Sequence, residues 1–533
     1  MISKLKQILQ DSFYQLLFIY VILIVIVSLG VFSKFTLHFE IFAVIIALLG
    51  FFVIRKSPDK FINKKLHIAL FIIALLLIVL FRAIPYIGNN IPLGYDTGLY
   101  KYAVESGLQN LDHWVRAGVE PGFLYLMEPL TWLFSTQFIL TWLFIAFNII
   151  LGLAIYLFAS SYFGKRVAVI SLLIYSVSVV QFLVFTFMYY KNIIGLSLML
   201  FSLYFLKKNE SNSNVKLGFW NRNRILFIVF AGFLGAVHRP TFYIFGLSYF
   251  VYAFINPLKD KKYNFAVLKS HIINGIIILL IAGLFYIGRF SPAITGIYGP
   301  VLEGFISPGE SPGTFISFFN YQFSTLAYLP FALLGFFYLL KKRQYNILFL
   351  WTIINSSIVY FQFFFFNRFI IHLDIALIIL AGIGFSIIID NKKKFGVFVL
   401  ILMLFSSGFI TLNEAKNAKP LISEQGLELI KNLDDLTEED AFIMSVSKEY
   451  SPWVLAYSGR KIIAPGLFDE NQWNKEEWKL FWSTTDKNVT INLMSVYNLE
   501  KPIYLFAGTK TFKNPCFELF LEKGKNEVYK YIC

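Results

Sequence analysis

A single carboxylate follows directly after an apolar run of membrane-spanning length and could accept a proton. Residues 66–84 are long and apolar enough to cross a bilayer, and Asp96 lies in the polar segment 92–102 behind them. We expect Asp96 to lie where the chain leaves the hydrocarbon on the outer face, close to the membrane surface and ionised. A carboxylate placed there could take the proton of a hydroxyl group as a general base. The structural alternative is that Asp96 caps a helix predicted over residues 99–107.

The loop that contains Asp96 carries further polar side chains that could contact a substrate. It is predicted to run from residue 85 to 136 on the outer side, with a short helix at residues 122–134 lying along the membrane surface, because that segment is too short to span. For His113 and Glu120 a structural or solvated role is the alternative. The candidate binding residues in this loop are Tyr95, Tyr100, Lys101, His113 and Glu120.

Basic residues on the predicted outer side form a second candidate group, since Lys and Arg normally concentrate in cytoplasmic loops. Arg368 lies between two apolar runs, with His372 one helical turn further on. A guanidinium group binds two phosphate oxygens at once, although an arginine at the lipid interface is an equally simple interpretation. The candidate binding residues of this group are Arg368, Arg239, His238, Lys191 and His372.

Each of these residues could have a structural role in place of binding a substrate. His238 and Arg239 precede Pro240, so this turn could simply end one helix and begin the next. Lys191 could be an anchor at the interface. His372 and Asp374 lie inside a predicted span, where ionisable groups are expected to face inward, and they could pair with each other or with Arg368.

The elements that position these residues are membrane helices. The chain is 57% hydrophobic and 15% charged, with a mean hydropathy of +0.65, whereas ordinary soluble chains carry roughly 25% charged residues. The net charge of +15 comes mainly from short loops, which indicates topology and gives no support to a nucleic-acid partner. The predicted spans are 13–32, 39–54, 66–84, 137–159, 167–187, 192–206, 225–237, 241–255, 272–290, 324–340, 347–366, 369–389 and 395–412.

The loop charges predict a multi-pass protein of the cytoplasmic membrane, with its N-terminus in the cytoplasm and its C-terminus outside. The membrane domain is predicted over residues 1–412, with a second external loop at 291–323, and a small external α/β domain over 413–533. Cys516 and Cys533 both lie in that domain, where a disulfide and two free thiols are equally allowed. Phosphate-loop and metal-binding motifs are missing from the sequence, so ATP-driven transport is not expected.

Several short motifs follow one another along the chain. They are Asp96-Thr97-Gly98-Leu99-Tyr100-Lys101-Tyr102-Ala103, Glu120-Pro121-Gly122-Phe123-Leu124-Tyr125, Tyr162-Phe163-Gly164-Lys165-Arg166, Gly235-Ala236-Val237-His238-Arg239-Pro240-Thr241 and Asn367-Arg368-Phe369. Their order resembles that of the GT-C membrane glycosyltransferases, the superfamily of the lipid A aminoarabinose transferase and the protein O-mannosyltransferases. The resemblance covers roughly residues 66–412. Asp96 is followed by Thr97, where many members have a second acid, so a divalent metal is left open.

This resemblance implies transfer of a sugar, with inversion, from a polyprenyl-phosphate-linked donor to a glycan, lipid or protein acceptor on the outer face of the membrane. It implies that Asp96 is the general base and that Arg368, with Arg239 or Lys191, stabilises the departing lipid phosphate. One alternative is a polysaccharide polymerase of the O-antigen or capsule type that uses lipid-pyrophosphate-linked glycans. Another is a non-enzymatic transporter or flippase of polyprenol lipids.

Overall fold

A computed structural model describes residues 2–28, 36–53, 62–211, 221–258, 263–287, 316–363, 366–445, 450–465, 468, 470–497 and 500–533 of the chain. Most of these residues are helical, as the apolar runs predict, because a helix satisfies every backbone polar group within its own segment. The predicted loop at 291–323 lies largely outside the described residues. The first fourteen helices are α1 Ile2–Ser28, α2 Thr36–Val53, α3 Lys64–Ala83, α4 Asp96–Ser106, α5 His113–Gly118, α6 Pro121–Thr131, α7 Thr136–Phe138, α8 Phe144–Phe163, α9 Lys165–Ser176, α10 Val179–Thr186, α11 Tyr190–Ser211, α12 Arg222–Val237, α13 Arg239–Ile255 and α14 Phe265–Leu284.

The second half of the chain continues with helices and then adds five strands. In the first half, the π-helical segment Ile139–Leu143 joins α7 to α8. The remaining elements are α15 Phe318–Thr325, α16 Leu329–Lys341, α17 Ile347–Tyr360, α18 Phe366–Asn391, α19 Lys393–Asn417, α20 Glu424–Leu436, β1 Phe442–Ser445, α21 Ser451–Tyr457, β2 Lys461–Ile463, α22 Lys475–Ser483, α23 Lys487–Met494, β3 Ile503–Gly508, β4 Phe517–Lys523 and β5 Asn526–Tyr531.

Eight helices within the described ranges are long and apolar enough to cross a membrane, or up to ten if two bent helix pairs each count as one span. This confirms the predicted class of a polytopic α-helical membrane protein. The predicted number of thirteen spans stays a prediction. Residues 369–388 of α18 are all buried, which fits the largely apolar sequence of this stretch.

Two of the predicted spans are bent helix pairs. The predicted span 167–187 consists of α9 and α10, which meet at an angle of 52°. The predicted span 324–340 corresponds to α15 and α16, which meet at 81°. At the first break Ser178 caps α10 by accepting a hydrogen bond from the backbone of Gln181, and at the second Pro330 is the second residue of α16. A capping side chain and a proline each favour the start of a new helix.

The chain divides into two compact units. One, which we call the membrane unit, contains residues Met1–Pro85 and Phe144–Asn417, and the other contains Tyr86–Leu143 together with Ala418–Cys533. The loop with Asp96 therefore belongs to the same unit as the C-terminal segment. The predicted domain boundary between 412 and 413 stays a prediction.

The C-terminal segment forms a small sheet with helices, as predicted. Its five strands have the order β2-β1-β3-β5-β4, with β1 parallel to β2 and β3, and β5 antiparallel to β3 and β4. The strand β3 is fully buried, which matches its apolar sequence. The core beside it is rich in aromatic side chains, including Trp473, Trp478, Phe481, Phe512 and Phe517.

Cys516 and Cys533 form a disulfide, which decides between the two states that the sequence left open. Their Cα atoms are 5.0 Å apart, within the usual range for a disulfide. The backbone amide of Ile532 donates to the carbonyl of Cys516 at 2.9 Å, so the bond joins neighbouring ends of β4 and β5.

Candidate active site

Asp96 is the first residue of α4 and lies in its first turn. The N-cap position belongs to Tyr95, whose side chain makes no capping hydrogen bond, so the structure does not place Asp96 in the capping position. A carboxylate in the first turn is stabilised by the partial positive charge of the helix N-terminus. Burial, followed by the negative charge of Asp96, raises the pKa of Tyr95 to about 12, so the phenol is neutral at physiological pH. Asp96 itself is half-buried.

Tyr100 lies on the same face of α4 as Asp96, because the two residues are four positions apart. Its side chain is 3% exposed, and its ring packs against Phe123 of α6 with 5.1 Å between ring centroids. Glu120 is the N-cap residue of α6 and is 3% exposed. The packing of α4 on α6 therefore brings the predicted residues Tyr100 and Glu120 into one neighbourhood.

The other predicted residues of this loop have different surroundings. Lys101 forms an ion pair with Glu105, donates to the carbonyl of Ala456 at 3.1 Å, and lies over the ring of Tyr457. These contacts give Lys101 a structural role within its unit. His113 is the first residue of α5, and its side chain lies outside the described part of the structure.

In the membrane unit, a hydrogen-bonded chain links two predicted histidines through a threonine. Nδ1 of His238 is 2.6 Å from Oγ1 of Thr241, and that oxygen is 3.2 Å from Nε2 of His372. All three side chains are more than nine-tenths buried. His238 is also the N-cap residue of α13, whose first residue is Arg239. These hydrogen bonds therefore join the start of α13 to α18.

The remaining predicted cations lie on helices that carry or contact the hydrogen-bonded histidines. Arg368 and His372 are four residues apart in the continuous helix α18, so they share one face, as predicted. Lys191 lies one turn before Gly195 in α11, and a Cβ built at Gly195 would come within 2.9 Å of the Cβ of His238. Packing thus gathers the helix turns that carry Lys191, His238, Arg239, Arg368 and His372.

Asp374 is the centre of a buried network whose partners sequence reasoning missed. Its carboxylate accepts hydrogen bonds from Gln181 at 2.7 Å, from Ser178 at 3.1 Å and from the hydroxyl of Tyr328. Ser178 lies at the break between α9 and α10, and Tyr328 lies at the break between α15 and α16. A single carboxylate on α18 therefore accepts hydrogen bonds from residues at the breaks of both helix pairs.

Arg82 at the end of α3 is fully buried close to this network. It donates to Oδ1 of Asn148 at 2.9 Å and to the backbone carbonyl of Gln181 at 3.5 Å, and it lies over the ring of Tyr175. Gln181 therefore contacts a buried cation through its backbone and the carboxylate of Asp374 through its side chain. The charges of Arg82 and Asp374 were visible in the sequence, but hydroxyl and amide residues in apolar runs give no signal of their partners.

The residue after Asp96 bears on the question of a metal. Thr97 is fully buried and donates its hydroxyl to the carbonyl of Leu93, so it stabilises the turn before α4. Among the described residues, no group of three or more His, Cys, Asp or Glu side chains is arranged to hold a metal ion.

Comparison with known proteins identifies the fold. Residues 119–286 match the family model of dolichyl-phosphate-mannose-protein mannosyltransferases, a range that includes Glu120, Lys191, His238 and Arg239. The structure of ArnT from Cupriavidus metallidurans bound to undecaprenyl phosphate superimposes with a TM-score of 0.55 at 11% identity, covering 88% of this chain and 98% of ArnT. The chain has the GT-C fold.

A second GT-C structure agrees with this assignment. The oligosaccharyltransferase AglB from Archaeoglobus fulgidus, in complex with an inhibitory peptide and a dolichol-phosphate, matches with a TM-score of 0.62 at 13% identity. The match covers 83% of this chain and 69% of AglB. No curated protein sequence matches the chain significantly. The resemblance to the GT-C superfamily is therefore confirmed, and the predicted enzyme class, glycosyltransferase, is that of the matched family and of both structures.

Proposed function

We propose that this GT-C chain transfers a sugar, with inversion, from a polyprenyl-phosphate-linked donor to an acceptor on the outer face of the cytoplasmic membrane. The observation that carries the proposal is the fold match to ArnT bound to undecaprenyl phosphate, which covers nearly the whole of both chains. The dolichol-phosphate in the AglB structure supports the same class of lipid carrier. The proposed orientation has the N-terminus in the cytoplasm and the C-terminal domain outside, as the loop charges favour.

In the proposed reaction Asp96 is the catalytic residue. Its carboxylate accepts the proton of an acceptor hydroxyl while the hydroxyl oxygen forms a bond to the anomeric carbon of the sugar. The bond from that carbon to the phosphate oxygen breaks, and the electron pair leaves with the polyprenyl phosphate. The first-turn position of Asp96 is compatible with this role, because the partial positive charge of a helix N-terminus favours a carboxylate there.

The cations of the membrane unit have the role of binding the donor phosphate. Arg368 offers two donors to the phosphate oxygens, and Arg239 and Lys191 add positive charge as the lipid phosphate departs. His238 and His372, linked through Thr241, hold the start of α13 against α18 and so fix the spacing of Arg239 and Arg368. Tyr95, Tyr100, His113 and Glu120 are proposed to contact the sugar or the acceptor, whereas the contacts of Lys101 favour a positioning role.

The test compares cells that produce the wild-type chain with cells that produce Asp96→Asn. Lipid extracts are examined by mass spectrometry for sugar-loaded polyprenyl phosphate, which identifies the donor at the same time. Asp96→Asn is expected to accumulate the loaded carrier, since the amide cannot accept the proton, while the purified variant still binds undecaprenyl phosphate. Transfer at the wild-type rate by purified Asp96→Asn would remove Asp96 from the catalytic role. Movement of the lipid across the membrane without loss of its sugar would favour the transporter alternative.

A further inference from the structure

One face of α4, the helix that begins at Asp96, packs directly on α21. The helix α21 belongs to the C-terminal segment Ala418–Cys533, which we call the sheet domain and which lies in the same compact unit as α4. A Cβ built at Gly98 would collide with the backbone carbonyl of Pro452, so the two helices touch backbone to backbone at this point. Any side chain at position 98 would force α4 away from α21. Glycine is required here for close approach rather than for an unusual backbone conformation.

Lys101, about one helical turn after Gly98, also contacts α21 from α4. Its ammonium group donates to the carbonyl of Ala456 at 3.1 Å and lies 4.4 Å from the ring centroid of Tyr457, within the range of a cation–π contact. Glu105 completes the group by pairing with Lys101. Burial, followed by the charge of Glu105, raises the pKa of Tyr457, which shows that this carboxylate is also close to the ring.

The helix α21 is itself a fixed part of the sheet domain. It is the crossover between the parallel strands β1 and β2. Trp453 is fully buried and stacks on Tyr457, with 5.8 Å between ring centroids and 9° between ring planes. Tyr450, just before the helix, packs against Phe506 of the buried strand β3. The surface that receives α4 is therefore held from both ends by the sheet.

The residues that contact α21 lie on the opposite face of α4 from Asp96. Gly98, Lys101 and Glu105 are three and four positions apart, so they share one face of the helix. Asp96 and Tyr100 share another face, turned away from the first by about half a helical turn. Contact with α21 through the first face therefore fixes the direction in which the second face, with its carboxylate, points.

We propose that the sheet domain positions the catalytic carboxylate, with α21 as the positioning element and Gly98, Lys101 and Tyr457 as the positioning residues. This inference rests on the proposed role of Asp96 as general base. Since a displacement on the order of 1 Å can lower a rate about 100-fold, a small shift of α4 is expected to lower kcat strongly.

The central test is Gly98→Ala in the full-length protein, with Gly246→Ala as the matched control. A Cβ at Gly246, in the middle of α13, meets no heavy atom within 4 Å among the described residues. The donor is the loaded carrier extracted from cells that lack this protein, so the assay does not depend on the result for Asp96→Asn, and hydrogen exchange of the α4 amides is measured in parallel. We expect Gly98→Ala to exchange faster in α4 and to lose roughly 10- to 100-fold in kcat. Its KM for the donor and its binding of undecaprenyl phosphate should stay within about twofold of wild type.

A second pair of variants keeps the proposal falsifiable if Gly98→Ala folds poorly. Tyr457→Phe retains the aromatic ring beneath Lys101 and should behave as wild type, whereas Tyr457→Ala removes the ring and should lower kcat with unchanged KM. Unchanged exchange in α4, or faster exchange with wild-type kcat, would overturn the proposal. So would an equal loss in both Tyr457 variants. The exchange measurement does not depend on Asp96, so a failure of the general-base assignment would be seen separately in Asp96→Asn.

Discussion

Removing the carboxylate of Asp374 should lower the free energy of unfolding of the membrane unit. Three buried donors lose their acceptor in Asp374→Ala, namely Gln181, Ser178 and Tyr328. Hydrogen bonds between membrane helices contribute about 0.6 kcal/mol on average and up to about 1.7 kcal/mol each. Three such bonds give a loss of roughly 2–5 kcal/mol in the free energy of unfolding.

Asp374→Asn separates loss of the hydrogen bonds from loss of the side chain. One carboxylate oxygen accepts from both Gln181 and Ser178, and the other accepts from Tyr328. An asparagine oxygen can keep the first two bonds, while its amide group faces the hydroxyl of Tyr328. The expected loss is therefore that of about one bond, roughly 0.6–1.7 kcal/mol. Tyr328→Phe, which removes only the third donor, should give a similar value.

The measurement is unfolding in mixed micelles with increasing SDS, for purified wild type and variants. The matched control is Ser406→Ala in α19, since the buried hydroxyl of Ser406 has no hydrogen-bond partner among the described residues. That variant should be within about 0.5 kcal/mol of wild type, because it removes no hydrogen bond. If Asp374→Ala were as stable as Ser406→Ala, the network would not hold the two bends, and the reasoning would be refuted.

Two further predictions concern the proposed substrate contacts. Arg368→Ala should weaken binding of undecaprenyl phosphate by roughly 10- to 100-fold, as expected for the loss of charged hydrogen bonds of about 1.5–3 kcal/mol. Native mass spectrometry measures this affinity, Arg368→Lys should retain part of it, and an unchanged affinity would assign Arg368 to the lipid interface. Burial, and then the charge of Asp96, raise the pKa of Tyr95 to about 12. The absorbance difference between wild type and Tyr95→Phe should therefore titrate at about 12. In the background of Asp96→Asn it should titrate at a lower pH. Because this pKa is above the usual 10.0, Tyr95 stabilises the fold fully below pH 10 and progressively less as the pH rises to about 12. An absorbance difference that titrates at 10 would contradict the burial of Tyr95 beside Asp96.

Several features of this protein follow from local sequence patterns. The apolar runs predict membrane helices, because backbone groups in lipid must be satisfied within each segment. In the C-terminal segment a helical pattern over 421–433 and short apolar runs at 441–446 and 503–507 predict a helix and strands. The structure has a helix at Glu424–Leu436 and strands at Phe442–Ser445 and Ile503–Gly508. The shared face of Arg368 and His372 follows from their spacing once a helix is assumed. Periodicity determines these features, and it acts over a few residues only.

Only the tertiary structure decided which distant residues meet. The partners of Asp374 come from positions 178, 181 and 328, and nothing in the local pattern of α18 selects them. The same holds for Thr241 between two histidines and for the carbonyl of Pro452 against Gly98. Such pairs depend on how whole helices pack, and a threonine, a serine or a glycine in an apolar helix looks the same in sequence whether or not it has a partner. The sequence by itself therefore determined the class of protein and the candidate carboxylate, while packing determined which helix α4 contacts and which side chains bind at the two helix breaks.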